Sequence, residues 1–396
     1  MTFEFKSSSL VNRFEESATL ALSGRAKKMA AEGRSIVNFG VGEPDFVTDE
    51  TIIQRGLDAA RAGQTKYTMV QGNLSLRKAI VSRIEEDYGV SYQPDDVLVS
   101  AGGKQTIFHF LQAILEPQDE VIILSPYWVS FPEMVKMVGG KPVIVGPALS
   151  ENPDARVTAA QIAKAITPRT KALILNSPSN PSGQVFTSKE VESFLDVIAP
   201  HPIWLLSDDT YYTLTYGNEP WRSAVSLRPS FKERTLIVGS TSKSYAMTGW
   251  RLGWGLGPKP LISAMTKLQS QITSNASSVS QAAAEEALGP SHKRVAGALK
   301  ERFQARRTLI LESLARIPGL TWMQPDGAFY VFVRIAPLLK PGKTTTAFAA
   351  ELLDIHGVCA IPGEAFGEPD YLRLSYALSE AQIADGIQRI EKALKS

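Results

Sequence analysis

Ser240-Thr241-Ser242-Lys243-Ser244-Tyr245-Ala246-Met247-Thr248-Gly249-Trp250-Arg251-Leu252-Gly253 is the stretch from which the fold can be read. It follows a short apolar run, Leu236-Ile237-Val238-Gly239, whose length and composition predict a buried parallel strand. One lysine, Lys243, stands among small residues, with Arg251 eight positions further on. Lys243 is thereby expected at the carboxyl end of a strand, where open α/β sheets hold their ligands. Ser240 and Ser242 add hydroxyls without bulk, and Arg251 adds a planar fork suited to a phosphate or carboxylate. The combination points to an anionic cofactor held covalently by an amine.

The same punctuation recurs along the chain. Apolar runs at 97–99, 121–124, 143–145, 172–175 and 203–206 predict further strands, with helical stretches between several of them. In one such stretch Val191, Phe194, Leu195 and Ile198 share a single face. Strands alternating with helices predict an α/β fold, a mainly parallel sheet with helices on both faces. Each strand then ends in polar or aromatic residues: Ser125-Pro126-Tyr127-Trp128, NSPSNPSG at 176–183, and Ser207-Asp208-Asp209-Thr210-Tyr211. These are expected to converge on one crevice. Strand 97–100, Gly102-Gly103 and a helix to about Leu115 would direct backbone amides at a phosphate. Walker and GxGxxG spacings are absent, so a nucleotide site is not indicated.

Outside this region, residues 16–33 read as a helix and Ile36–Phe39 as a short strand. The turn Gly40–Phe46 would offer the Gly42 amide to a carboxylate. Tyr67 precedes a helix over 75–88 that Gly89 stops. After the lysine segment come a helix from Pro260 through Gln271, a Ser/Asn-rich break at 273–280, and helix to about Leu314. A β-like segment at 328–333, a strand at 372–376 with Arg373 opposite Leu372 and Leu374, and a last helix complete the chain. Ser379 and Gln382 form a capping box for that helix, whose buried stripe is Ile383, Ile387, Ile390 and Leu394. The expected division is a large domain at 48–290 and a smaller α+β domain from 1–47 and 291–396.

Composition excludes several classes. With 396 residues, 44% hydrophobic, 21% charged and a net charge of +2, the chain suits a soluble globular enzyme rather than a nucleic-acid or membrane-surface binder. A single cysteine, Cys359, rules out an internal disulfide. His109, His201, His292 and His356 show no metal-ligand spacing. The amino terminus lacks the apolar core of a secretory signal, and no apolar run is long enough for a bilayer, so a cytoplasmic location is expected.

In chemical terms the chain offers Lys243 for an imine and Ser240, Arg251 and Gly103 for a phosphate. Asp208 suits a ring nitrogen, Asn180 and Tyr211 a phenolic oxygen, and Trp128 a ring face. These are the handles of pyridoxal 5′-phosphate. At these residues the chain resembles the aspartate aminotransferase family, the class I aminotransferases of the fold-type-I pyridoxal-phosphate enzymes. The resemblance runs from Gly42-Glu43-Pro44-Asp45 to Arg373-Leu374-Ser375-Tyr376, and SxSKxYAMTGWRLG is its most specific motif. It implies a seven-stranded sheet sandwiched by helices, and a homodimer with shared sites.

By that resemblance Lys243 carries the cofactor and serves, with Asp208 and Tyr211, as catalytic machinery. Gly102, Gly103, Lys104, Ser240, Ser242 and Arg251 would hold the phosphate, with Tyr67 reaching the neighbouring subunit's cofactor. Arg373 would clamp the substrate α-carboxylate, assisted by the Gly42 amide, Asn180 and Trp128. The implied activity transfers the amino group of aspartate to 2-oxoglutarate by a ping-pong cycle.

The chain departs from the family pattern at Asp209, which stands where glutamate is commoner, and at NPSG for NPTG. Residues 270–281 hold no arginine for a distal carboxylate, so the resemblance is to the branch in which Lys104, Ser17 and Thr19 assist. Prephenate, aromatic or neutral amino acids, and a lyase reaction on the same fold remain alternatives.

Overall fold

The computed structural model describes residues 4–16, 18–147, 149, 152, 155–217 and 219–395. In chain order its strands are β1 (Val37–Asn38), β2 (Val97–Ser100), β3 (Glu120–Leu124), β4 (Lys141–Val145), β5 (Thr170–Asn176), β6 (Trp204–Asp208) and β7 (Thr235–Ser240). There follow β8 (Gly253–Leu256), β9 (Thr321–Met323), β10 (Tyr330–Arg334), β11 (Val358–Cys359), β12 (Ile361–Pro362) and β13 (Tyr371–Ser375).

Seven strands form one sheet in the order β2-β8-β7-β6-β5-β3-β4. The central ladders are parallel, and β8 runs antiparallel between β2 and β7. Burial on both faces explains the continuous apolar runs. Along β5, Ala172 and Ile174 enter one core cluster while Leu173 and Leu175 enter the other. Such burial stabilises the sheet by roughly 1.5–3 kcal/mol for each large aliphatic side chain. Helices cover both faces, so the mainly parallel helix-clad sheet expected from sequence is present.

β8 was not legible in the sequence. Its segment, Gly-Trp-Gly-Leu, lacks β-branched residues because the neighbours exclude them. A Cβ on Gly253 would lie 2.3 Å from the Gly103 amide nitrogen, and one on Gly255 would lie 2.8 Å from the Thr106 methyl. The break placed at 273–280 is also shorter than expected. Ser277 accepts a bond from the Ser280 amide as an N-cap, and helix runs from Ser278 to Leu288.

The smaller α+β part contains an antiparallel sheet ordered β12-β13-β10-β9, with β1 and β11 paired in parallel beside it. The final helix, Glu380–Lys395, is capped as expected: the Gln382 amide donates to Ser379 Oγ at 3.3 Å and the Ser379 amide to Gln382 Oε1 at 3.2 Å. Ile383, Ile387 and Ile390 are buried, and Leu394 packs partly buried at the edge of the same core. No helix among the described residues is long and apolar enough to cross a membrane.

Candidate active site

Three parallel strands end side by side at the site. Register pairs Asn176 with Asp208 and Asp208 with Val238, so the segments after β5, β6 and β7 leave the sheet together. Polar groups buried there need partners. Asn176 donates through Nδ2 to the Asp208 carbonyl at 3.1 Å and accepts from the Asn180 amide at 3.0 Å. Buried Asp208 accepts at Oδ1 from the Thr210 hydroxyl at 2.7 Å and the Thr210 amide at 3.3 Å. Burial raises its pKa, while the Thr210 bonds and the charge of Lys243 act in the opposite direction.

Ser240 caps the turn that carries the lysine: its Oγ accepts from the Ser242 amide at 3.0 Å and lies 2.8 Å from Ser242 Oγ. Half-buried Lys243 donates through Nζ to the Gly42 carbonyl. Burial lowers its pKa from 10.5 to about 8; Glu43 and Asp208 raise it, and Arg373 and Arg251 lower it.

Arg251 adopts a left-handed backbone, φ 53°. Its guanidinium donates to the Thr248 carbonyl at 2.8 Å and the Ala101 carbonyl at 3.3 Å. It then lies so close to Gly102 that a Cβ there would be 2.5 Å from Nη2. Helix Gly103–Ile114 begins beside it without a side-chain cap, leaving its first amides available to an anion. Lys104 Nζ stands 4.9 Å from the Trp128 ring centre, and burial, followed by the charge of Arg251, lowers its pKa.

From the opposite wall comes Arg373 on β13. It is buried, donating through Nη1 to Asn180 Oδ1 at 3.0 Å and through Nη2 to the Gly40 carbonyl at 2.7 Å. Its guanidinium lies 4.7 Å from the Tyr330 ring centre, and its buried Nε has no hydrogen-bond partner among the described residues. A buried cation held by neutral acceptors is electrostatically incomplete, and burial accordingly lowers its pKa. Tyr211 and Tyr330 meet hydroxyl to hydroxyl at 2.9 Å.

These groups face one cavity of about 410 Å³. Of the residues expected from sequence, Thr19, Gly42, Gly103, Lys104, Trp128, Asn180, Asp208, Tyr211, Ser240, Ser242, Lys243, Arg251 and Arg373 line it. Gly102 adjoins it beneath Arg251. Tyr67 does not line the cavity of its own chain and is 91% exposed. Ser17 lies outside the described residues.

Sequence reasoning assigned no site role to Glu43, Asn176, Thr210, Thr248 and Tyr330, all of which line the cavity. Asn176 opens the quoted NSPSNPSG run, and Glu43 stands beside Gly42, so proximity was the available signal. Ser23 and Lys27 also line it, four and eight residues after Thr19, a spacing that shares one helical face. Asp209 does not line the cavity. It is buried behind it, accepting from Ser207 Oγ at 2.6 Å and Ser223 Oγ at 3.1 Å, and burial pushes its carboxyl up to about 7.

Residues 34–390 match the family described as aminotransferase class I and II, and the chain belongs to that family. The aspartate aminotransferase of Geobacillus stearothermophilus is 41% identical over 382 residues, covering 96% of each chain. A probable aspartate/prephenate aminotransferase of Rhizobium leguminosarum bv. phaseoli is 41% identical over 396 residues, covering 96% of this chain and 97% of that one. The crystal structure of the aspartate aminotransferase of Rhizobium meliloti superimposes with a TM-score of 0.93 at 41% identity, covering 99% of each chain.

Proposed function

We propose that the chain is a pyridoxal 5′-phosphate-dependent transaminase that transfers the amino group of aspartate to 2-oxoglutarate. The observation that carries this reading is Lys243, an amine brought to about 8 in the same cavity as Asp208 and Arg373. An amine so close to neutrality is both nucleophile and base. The residues also fit the cofactor: Arg251 lies over a glycine that a Cβ would obstruct, beside an uncapped helix start.

When bound, the cofactor supplies an aldehyde for amines and a ring that accepts carbanion electron density. The chain's residues then divide the work. Lys243 is the point of attachment and afterwards moves the proton at the substrate Cα. Asp208 holds the proton at the ring nitrogen; Asn180 and Tyr211 hold the phenolic oxygen; Trp128 covers the ring. Gly102, Gly103, Lys104, Ser240, Ser242 and Arg251 bind the phosphate. Arg373 takes the α-carboxylate by a two-point contact, with the Gly42 amide and Asn180 alongside. Lys104, Thr19 and Ser17 serve the distal carboxylate.

The proposed assembly is a homodimer in which Tyr67, exposed on its own chain, completes the phosphate site of a second copy. A second substrate reading, prephenate as amino acceptor, is supported by the relative named for both activities.

Stopped-flow absorbance of the cofactor-loaded protein tests the reading, with aspartate, prephenate plus glutamate, phenylalanine and alanine mixed separately. Rapid conversion to the amine form of the cofactor with aspartate, and slow conversion with phenylalanine and alanine, is expected; glutamate, the product formed from 2-oxoglutarate, should convert it as well. Conversion only with aromatic or neutral donors overturns the substrate. A cofactor band that is unchanged in Lys243→Ala overturns the attachment site.

A further inference from the structure

Segment 42–48 is fastened to the loop that follows Lys243. Lys243 donates to the Gly42 carbonyl, the Thr248 hydroxyl to Glu43 Oε2 at 2.8 Å, the Thr48 hydroxyl to the Ala246 carbonyl at 2.7 Å, and Trp250 Nε1 to Thr48 Oγ1 at 3.1 Å. Two carboxylates stand in this segment and are treated differently. Asp45 is gripped by Arg306 through two bonds, 2.6 and 3.0 Å, and its charge is neutralised there. Glu43 has a neutral hydroxyl for its hydrogen-bond partner and lines the cavity with Lys243. Pro44 restricts the Glu43 backbone to extended conformations, which limits where that carboxylate can go.

We propose that Glu43 is a positioning residue for Lys243: held in place by Thr248, its carboxylate is the counter-charge that keeps the amine protonated against the Gly42 carbonyl. The proposal rests on Lys243 being the attachment lysine and deepens that reading. The charged groups around the amine are Glu43 from the 40–46 turn, Asp208 at the end of β6, Arg373 on β13 and Arg251 from its own loop. Lys27, Lys104, Tyr211 and Tyr330 are the other titratable groups that line the cavity. After burial, which lowers the Lys243 pKa, Glu43 is the strongest of these influences and raises it; Asp208 raises it less. Asp208 also accepts two bonds from Thr210, which leaves Glu43 as the freer charge. Glu43 therefore offsets part of the effect of burial and raises the pH at which Lys243 gives up its proton.

The test uses cofactor-free protein. Competitive acetylation across the neutral-to-alkaline range, read by mass spectrometry at the Lys243 peptide with exposed Lys189 as internal standard, gives the ionisation midpoint of Lys243. Wild type is expected near 8. In Glu43→Gln the midpoint should move down by about 1 pH unit, the size typical of losing a nearby opposite charge. Thr248→Val, which keeps the carboxylate but removes its hydroxyl partner, should move it down by less. An unchanged midpoint in Glu43→Gln overturns the proposal. An unchanged midpoint in Thr248→Val overturns the role of Thr248, and Glu43→Ala read in the same way decides the matter should Glu43→Gln fail to fold. Pyridoxal phosphate added to wild type should protect Lys243 from acetylation. Absence of protection overturns the cofactor reading without bearing on the midpoint comparison.

Discussion

Arg373 Nη1 donates to Asn180 Oδ1 across 3.0 Å and 193 residues of chain. The bond ties the antiparallel sheet to the loop after β5, and it brings the proposed carboxylate clamp against a proposed cofactor ligand. Both orient each other before any ligand arrives.

Arg373→Lys keeps the charge and loses the fork. With the two-point contact gone, kcat/KM for aspartate should fall about 100- to 1,000-fold, corresponding to one or two charge-assisted hydrogen bonds. Circular dichroism should be unchanged, and the loss should lie mainly in KM for both amino and oxo acids. A loss confined to kcat would place Arg373 elsewhere in the reaction.

Gly102 has φ +92°, and its missing Cβ leaves the space that Arg251 occupies. Gly102→Ala should therefore displace the guanidinium and weaken pyridoxal phosphate binding at least about tenfold, the loss expected for one charge-assisted contact. Equilibrium dialysis of the cofactor measures it, and unaltered affinity would remove this loop from the phosphate site.

Asp209 gives a pH dependence of defined sign. Burial pushes its carboxyl from 3.8 up to about 7, so between those values the folded chain keeps a proton that the unfolded chain has released. Stability contributed by this group is therefore full below about 3.8 and is lost as pH rises to about 7. Asp209→Asn cannot lose that proton. Relative to wild type it should gain on the order of 2–4 kcal/mol between mildly acidic and mildly alkaline urea titrations. An equal difference at both pH values would show that Asp209 is ionised in the fold.

Tyr67 is 91% exposed, with Met69 (60%) and Ile272 (52%) also exposed as large apolar side chains. Sedimentation should find twice the chain mass. Tyr67→Phe should retain the dimer yet weaken cofactor retention, because only the hydroxyl is lost. Monomer in solution, or full retention by the variant, would exclude a shared phosphate site.

The central sheet was legible where physics writes plainly. Strands buried on both faces need continuous apolar runs, and 172–175, 203–206 and 236–238 show them; Ser379 and Gln382 announced a cap that the structure contains. β8 was hidden because Gly253 and Gly255 serve close approach to helix Gly103–Ile114, which suppresses every strand signal. In the cavity, residues adjacent to strand ends could be read in advance. Tyr330 was invisible as a cavity residue because its position depends on the pairing of β10 with β13 and on its contact with Tyr211 beyond β6, information no local pattern contains. Ser23 and Lys27 stood at helical spacing from Thr19 and could have been found.

The pairing of Ser240 with Gly253 closes β7 and β8 around the loop that bears Lys243 and Arg251. Amine and guanidinium are thus mounted on one clasp whose two ends are fixed in the same sheet. A residue inserted between them has nowhere to be absorbed except by shifting the amine against the guanidinium or by slipping a strand. Attempts to reshape substrate choice by changing loop length are therefore misplaced here, while this clasp admits exchange of side chains at constant length.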